Sequence, residues 1–210
     1  MKNLKEYIKE SILGNWNTVD ADKIADKIIA KQIRERRANI KAFLKKSYKN
    51  YRALIISDRP NGDDLFEVTA LDDVVFNNNG GTSTTNGDFI FVSIPGGFYC
   101  CNTKIKSFEG LPKEIGGNFN CSFSFVTSLE GVPEKTGMGF HCYSCTRLTS
   151  LEGAPKEVGG EFDCTKCYDL KSLKGAPEKV GGNFRCEGCG KQFTEEDVKK
   201  VSDVMGEIII

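Results

Sequence analysis

Apolar residues recur at a fixed spacing through the second half of the chain. Phenylalanine stands at five positions that lie 21 or 22 residues apart, and a cysteine follows two places after each: Phe98, Phe119, Phe140, Phe162 and Phe184, with Cys100, Cys121, Cys142, Cys164 and Cys186. Alternation with period two is typical of a β-strand whose Phe and Cys point inward while the residue between them points outward. A repeat of this length cannot bury its apolar side alone, so the pattern predicts a solenoid of stacked turns.

The rest of each repeat is built from turn residues. From Ser150 the chain reads SLEGAPKEVGG before the strand, and from Ser172 it reads SLKGAPEKVGG. The prolines of this stretch fix φ at a turn, and we expect the paired glycines to adopt the positive φ of a tight return. These residues are Pro112, Pro133, Pro155 and Pro177, with glycine pairs at 116 and 117, 159 and 160, and 181 and 182. Because the stretch is short and rich in Gly and Pro, it predicts turns on the side of the solenoid opposite the strands.

Helices and strands are predicted before the repeats. Apolar spacings of three and four residues predict a short helix over 2–13 and a second helix that begins near Thr18 or Asp20 and continues to Tyr51. Runs rich in Val, Ile and Phe predict short strands at 53–57, 65–70, 74–76 and 89–94. We expect these strands to cover the first repeat, whose apolar core would otherwise meet water.

A further helix is predicted after the last repeat. The segment 194–197 reads Thr-Glu-Glu-Asp and has the form of a capping box, and Val198, Val201, Val204 and Met205 would share one side of the helix. Together the elements predict an α+β fold. N-terminal helices and short strands cap a parallel β-solenoid of about five turns, and the C-terminal helix closes it.

Charge divides the chain where the composition changes. Residues 1–60 hold 15 lysines and arginines against 7 acids, whereas residues 61–100 hold no basic residue against 6 acids. Shifts of this kind favour segment boundaries near 60 and near 95. The predicted segments are a basic helical region at 1–60, a short-strand region at 61–97, the solenoid at 98–193, and the C-terminal helix and tail at 194–210.

The composition argues against several classes of protein. No apolar run approaches the ~18 residues that a membrane span needs, and the first residues alternate lysines with apolar side chains instead of forming the apolar block of a secretion signal. The cysteine count of nine is odd, which disfavours a disulfide framework. We therefore expect free thiols, a reducing cytoplasmic environment and no membrane partner.

Three cysteine pairs raise the question of metal binding. The pairs with the C-x-x-C spacing of zinc sites are Cys142 and Cys145, Cys164 and Cys167, and Cys186 and Cys189. In earlier repeats Thr103 and Ser124 stand at the partner position, which favours a ladder of buried thiols over metal ligands. The only histidine, His141, lies in the outward column, away from the thiols, so we expect no Cys-His catalytic pair. We expect no enzyme activity and no cofactor, with zinc at the six cysteines as the alternative.

The repeat resembles a known family. The order Phe162, Cys164, Cys167 resembles the L-x-L-x-x-N/C core of leucine-rich repeats, and the resemblance covers about half the chain. The repeated sequence motif S-L-x-G-A-P-x-x-V-G-G-x-F-x-C also resembles the repeats of leucine-rich-repeat-like proteins carried by tailed bacteriophages and their bacterial hosts. The resemblance implies a small interaction protein in the host cytoplasm or the virion, and it carries over no catalytic residue.

Two surfaces are candidates for binding. The inward and turn positions repeat closely, whereas the exposed positions vary, which favours recognition of a protein partner by the strand face; free drift of surface residues is the alternative. The candidate residues are Tyr99, Asn120, Phe123, His141, Tyr143, Asp163, Lys166 and Arg185. A basic patch in the second helix could instead attract nucleic acid or solvate that helix. Its residues are Lys31, Arg34, Arg37, Lys41, Lys45 and Lys49.

Overall fold

The computed structural model describes residues 5, 8, 18–77 and 81–210. The chain divides into two compact units, Met1–Ala42 and Phe43–Ile210. In the first unit, a buried cluster joins Ile8 to two alanines of the long helix α1, and Lys5 forms ion pairs with two aspartates of the same helix. The helix predicted over 2–13 lies outside the described residues except for Lys5 and Ile8, which are both helical.

Helix α1 comprises Thr18–Ser47 and ends before the predicted end at Tyr51. The helix stops because the next residue, Tyr48, takes part in β structure: it forms an antiparallel bridge with Phe76. The Tyr48 hydroxyl donates a hydrogen bond to the carbonyl of Thr84, and the ring is fully buried. A short 3-10 turn, Tyr51–Ala53, then leads into the first strand.

All four strands predicted before the repeats are present. They are β1 (Leu54–Ile56), β2 (Phe66–Ala70), β3 (Val74–Val75) and β4 (Phe89–Ser93). Strand β2 pairs antiparallel with β1 and parallel with β4, and Phe66, Val68, Phe89 and Phe91 are buried. Strand β3 belongs to a different sheet, the first sheet of the solenoid.

The repeats form the predicted parallel β-solenoid, with about six turns instead of five. Its long sheet has seven strands: β3, β5 (Phe98–Tyr99), β7 (Phe119–Asn120), β9 (Phe140–His141), β11 (Phe162–Asp163), β13 (Phe184–Arg185) and β15 (Ile208–Ile209). The outermost strands place Val74 and Ile208 in register with the phenylalanine column. The Phe-x-Cys pattern misses these two strands because their inward residues are aliphatic.

A second parallel sheet lies where only turns were predicted. Its strands are β6 (Glu114–Ile115), β8 (Lys135–Thr136), β10 (Glu157–Val158), β12 (Lys179–Val180) and β14 (Asp203–Val204). The inward residues Ile115, Thr136, Val158 and Val180 are buried. The prediction of turns alone is wrong because a two-residue strand has no periodicity to detect, and only pairing with the neighbouring turn makes it a strand.

Solvent-facing residues of the second sheet alternate in charge from turn to turn: Glu114, Lys135, Glu157, Lys179 and Asp203. The Lys135 Nζ lies 3.2 Å from Glu157 Oε2, and one residue earlier the Lys156 Nζ lies 2.9 Å from Glu134 Oε2. Exposed ion pairs of this kind add little stability. A slip of one residue would set Lys135 against Lys156, so the pattern disfavours the wrong register.

The prediction that the paired glycines adopt positive φ is wrong, and they are required because they have no side chain. A Cβ at Gly159 would lie 2.3 Å from the Gly137 carbonyl oxygen, and a Cβ at Gly181 would lie 2.4 Å from that of Gly159. The backbones of successive turns therefore approach too closely for any side chain. Positive φ occurs at the earlier glycine of each repeat: Gly110, Gly131, Gly153 and Gly175.

The C-terminal helix α2, Glu195–Lys199, has the predicted capping box. The Thr194 Oγ1 accepts the Asp197 N–H at 3.2 Å, and Asp197 Oδ2 accepts the Thr194 N–H at 3.1 Å. Of the four residues predicted to share its apolar side, Val198 is buried, Val201 and Met205 are exposed, and Val204 lies in β14. The helix is shorter than predicted because the chain returns to the two sheets and adds another turn.

Candidate interaction surface

A stack of phenylalanine rings supports the outward face of the long sheet. The centroids of successive rings from Phe98 to Phe184 lie 5.5, 5.1, 5.6 and 4.9 Å apart, and all five side chains are fully buried. Each inward ring holds its strand at a fixed spacing from the next. The residue beside each ring is therefore presented outward at a regular interval.

We call these outward residues the outward column. They are Tyr99, Asn120, His141, Asp163 and Arg185. The parallel register sets each of them directly beside the next. All five are partly exposed. The structure thus brings together the residues that the sequence grouped by alternation, while their role in binding stays a prediction.

Three further candidate residues make a second group at the corner that follows the strands. The rings of Phe123 and Tyr143 meet edge to face with centroids 4.9 Å apart, and the Lys166 Nζ lies 5.5 Å from the Tyr143 centroid. Hydrogen bonding to Tyr143 raises the pKa of Lys166 above its ordinary value, so its cationic form is favoured. We call Phe123, Tyr143 and Lys166 the aromatic corner. Phe123 is 54% exposed, which is unusual for so large an apolar side chain.

The aromatic corner is built on left-handed backbone. Phe123 has φ 58° and Lys166 has φ 57°, and the equivalent residues of other turns are Asn102, Ser144 and Gly188. Asn and Gly adopt this conformation readily, whereas Phe and Lys carry a cost of about 1 kcal/mol or more. Two large side chains therefore occupy positions where the left-handed backbone conformation favours glycine.

Sequence reasoning missed an adjacent contact. The Arg147 guanidinium carbon lies 5.3 Å from the centroid of the Phe125 ring, and Phe125 is 48% exposed. Tyr168 is also exposed. These residues follow the strands, outside the period-two alternation, so no pattern in the sequence marked them.

Eight of the nine cysteines pack in two columns inside the solenoid, and Cys101 is exposed. The first column, Cys100 to Cys186, is buried. In the second column each side chain gives its hydrogen to a backbone carbonyl oxygen. The bonds are Thr103 to Cys100 at 2.6 Å, Ser124 to Cys121 at 2.5 Å, Cys145 to Cys121 at 3.3 Å, Cys167 to Cys142 at 3.2 Å and Cys189 to Cys164 at 3.3 Å. A short side chain with one donor suits the position, which explains why Thr, Ser and Cys share it.

Burial favours the neutral form of the first-column thiols. Burial raises the pKa of Cys100 well above its ordinary value, and raises that of Cys186 to about 12. Hydrogen bonding with a second-column thiol, together with burial, raises the pKa values of Cys121, Cys142 and Cys164. A reactive thiol needs a lowered pKa, so this column is not a set of nucleophiles.

The raised pKa values predict loss of stability at alkaline pH. A neutral buried thiol contributes fully below its unfolded pKa of about 8.5, and this contribution falls by up to ~1.4 kcal/mol per pH unit as pH rises toward the folded pKa. Thermal melts followed by circular dichroism between pH 7 and pH 11 should show a falling melting temperature above about pH 9. The Cys100→Ala variant should show a shallower fall, and Cys101→Ser, at an exposed cysteine, should match the unsubstituted protein. Equal slopes in all three proteins would contradict the assignment.

One group of potential metal ligands lies within the described residues. A ligand atom from each of His141, Glu161 and Asp163 lies within 4.8 Å of the other two, and all three side chains are partly exposed. Two of these residues were predicted to face outward, but sequence reasoning did not group them as ligands. The signal was present, since His141 and Asp163 hold equivalent positions in successive repeats.

The basic patch lies on and just after α1. Within the first unit Lys31, Arg34 and Lys41 are exposed and Arg37 is partly buried. Within the second unit Lys45 and Lys49 are exposed. Lys31 Nζ lies 3.9 Å from Glu35 Oε1, an (i, i+4) pair typical of a solvated helix. Attraction of nucleic acid to these residues stays a prediction.

No protein-family model matches the chain, and neither the curated proteins nor the solved structures give a match to it. In the part of the chain that the structure describes, no helix has both the length and the apolar character of a membrane span.

Proposed function

We propose that the chain is a non-catalytic interaction module that binds a protein partner through the outward column and the aromatic corner. One observation carries the proposal. From Phe98 to Cys186 the phenylalanine column and the first cysteine column keep one residue type from turn to turn, while the outward column changes at every turn, from Tyr99 to Arg185. A constant frame with a varied exposed strip is the arrangement that repeat proteins use for recognition.

The chemistry of the aromatic corner supports the same proposal. Exposed aromatic side chains are enriched at the centres of protein interfaces. Phe123 and Lys166 also hold left-handed backbone that glycine would hold at lower cost. A benefit outside folding, such as contact with a partner, accounts for side chains of this size at these positions.

We further propose that the solenoid is related to the leucine-rich-repeat-like proteins of tailed bacteriophages and their hosts. This proposal is supported by the recurring sequence motif S-L-x-G-A-P-x-x-V-G-G-x-F-x-C. This relation would place the protein in the host cytoplasm or the virion, and its partner among host or virion proteins.

Removal of the aromatic corner should weaken partner binding without unfolding the chain. The double variant Phe123→Ala/Tyr143→Ala is expected to reduce affinity by at least tenfold, about 1.4 kcal/mol, because truncated aromatic anchors usually cost this much or more. The partner is first isolated by crosslinking on the unsubstituted protein and then titrated calorimetrically against each variant. Leu71→Ala is the control, since Leu71 is 62% exposed and lies outside both groups.

Equal affinity of the double variant and the unsubstituted protein would overturn the proposal. Binding of nucleic acid that survives the double variant and falls steeply with added salt would favour the second candidate function, association with nucleic acid through the exposed basic residues of α1.

A further inference from the structure

Three side chains with metal-binding atoms converge on the outward face at two successive turns. His141 in β9 and Asp163 in β11 are direct partners in the parallel register. Glu161 stands two residues before Asp163 and therefore points to the same side of the strand. One imidazole nitrogen and two carboxylate oxygens consequently lie within 4.8 Å of one another.

The turn is shaped so that the imidazole can reach this position. A Cβ at Gly139 would lie only 2.6 Å from His141 Nε2 and 3.0 Å from the Glu161 carbonyl oxygen. The missing side chain at Gly139 leaves room for the ring to lie back along the strand toward Glu161. The two adjacent turns hold Asn118 and Glu161 at this position, whereas the turn of Tyr99 also has a glycine there, Gly97, whose Cβ would lie 2.8 Å from the Tyr99 ring.

Within the described residues, Glu161 and Asp163 lack the lysine ion pairs of the second sheet, although Arg185 stands beside Asp163 in the register. On the second sheet each acid faces a lysine of an adjacent turn, as Glu157 faces Lys135. Within the described residues, by contrast, no lysine or arginine forms an ion pair with Glu161 or Asp163, and Arg185 pairs with Glu187 at 2.9 Å. The Asp163 Oδ1 accepts the Thr165 N–H at 2.9 Å, which fixes the direction of the carboxylate. The group therefore attracts a cation.

We propose that His141, Glu161 and Asp163 bind one zinc ion on the outward face. Imidazole nitrogen and carboxylate oxygen are ordinary zinc ligands at about 2.0–2.2 Å, and tetrahedral ligation needs ligand atoms about 3.4 Å apart. The ligand atoms now lie within 4.8 Å of one another, so binding requires the His141 and Glu161 side chains to rotate toward the Asp163 carboxylate. Three protein ligands leave the fourth position open to water or to a side chain of a bound partner. The site is distinct from the thiol columns, and it does not depend on the proposed interaction function.

The single histidine allows a direct test on the purified full chain. Imidazole nitrogen resonances, recorded by 15N NMR, are expected to shift saturably as zinc chloride is added, with completion at one equivalent. In calorimetric titrations, Asp163→Asn and Glu161→Gln are each expected to weaken zinc binding by at least about tenfold. Asp203→Asn, which removes an exposed carboxylate of the second sheet, should leave the affinity unchanged.

The thiols are the competing ligands, and the same experiment separates them. Imidazole resonances that stay unmoved while zinc binds would assign the ion to cysteines and overturn the proposal. An unchanged affinity in both carboxylate variants, or no binding at all, would overturn it equally. Each variant is first shown by circular dichroism to melt as the unsubstituted protein does, because all three residues are surface positions. No partner is present, so the result is independent of the interaction proposal.

Discussion

Replacement of Phe162 by alanine is expected to lower the free energy of unfolding by about 4 kcal/mol, within the range of about 3–5 kcal/mol for buried phenylalanines. The ring is fully buried, and its centroid lies 5.6 Å from that of Phe140 and 4.9 Å from that of Phe184. Its removal leaves a cavity in the middle of a continuous stack, and neither neighbour can fill the cavity without leaving its own turn. Urea denaturation followed by circular dichroism measures the change.

The matched control for this substitution is Phe125→Ala. Phe125 has the same side chain but is 48% exposed, and its contact with Arg147 lies at the surface. The expected loss is below about 1 kcal/mol, the typical size of an exposed cation–π contact. Similar losses in both variants would show that the phenylalanine column does not carry the stability of the solenoid.

Replacement of Gly159 by alanine is expected to cost about 3 kcal/mol, although it adds only one methyl group. The new Cβ would lie 2.3 Å from the Gly137 carbonyl oxygen, and the contact is with backbone that cannot rotate away. Two turns would have to separate, which would weaken hydrogen bonds such as the one from the Gly159 N–H to the Thr136 carbonyl, now 2.9 Å. Overpacking of this kind costs roughly 1–3 kcal/mol where the surroundings can adjust, and they cannot do so here.

Gly62→Ala provides the comparison at a position without close neighbours. Among the described residues, no atom lies within 4 Å of a Cβ built at Gly62. The substitution should change stability by less than about 0.5 kcal/mol, because it only restricts the unfolded chain. The same denaturation measurement serves both variants. If the free energy of unfolding of the Gly159→Ala variant equals that of the unsubstituted protein, the turns can separate at little cost. The paired glycines would then not be needed for stacking.

The two substitutions are connected to function by the same stack. Gly159 and Phe162 both belong to the turn that presents Asp163, and Asp163 contributes to the outward column and to the proposed zinc site. Because each turn of a solenoid contacts only its neighbours, damage to one turn is local at first. We therefore expect Gly159→Ala to disturb zinc binding at moderate urea concentrations before the whole chain unfolds.

The sequence by itself determined the features that depend on local chemistry. Alternation of Phe162, Asp163 and Cys164 settled which residues point inward, because side chains of a strand alternate strictly. The capping box at 194–197 settled where the last helix begins, because its donors and acceptors lie within one helical turn. The period of 21 or 22 residues settled that turns stack in parallel.

Only the tertiary structure decided the features that depend on the distance between turns. The second sheet exists because β8 and β10 lie beside each other, and neither dipeptide is a strand alone. The paired glycines are required because the backbone at Gly137 lies against that at Gly159, a distance that no local pattern contains. His141 and Glu161 likewise become a group of ligands only when two turns are in register. The periodicity of the sequence predicts that the turns repeat. Which side chains come into contact depends on the spacing and register of the packed backbones.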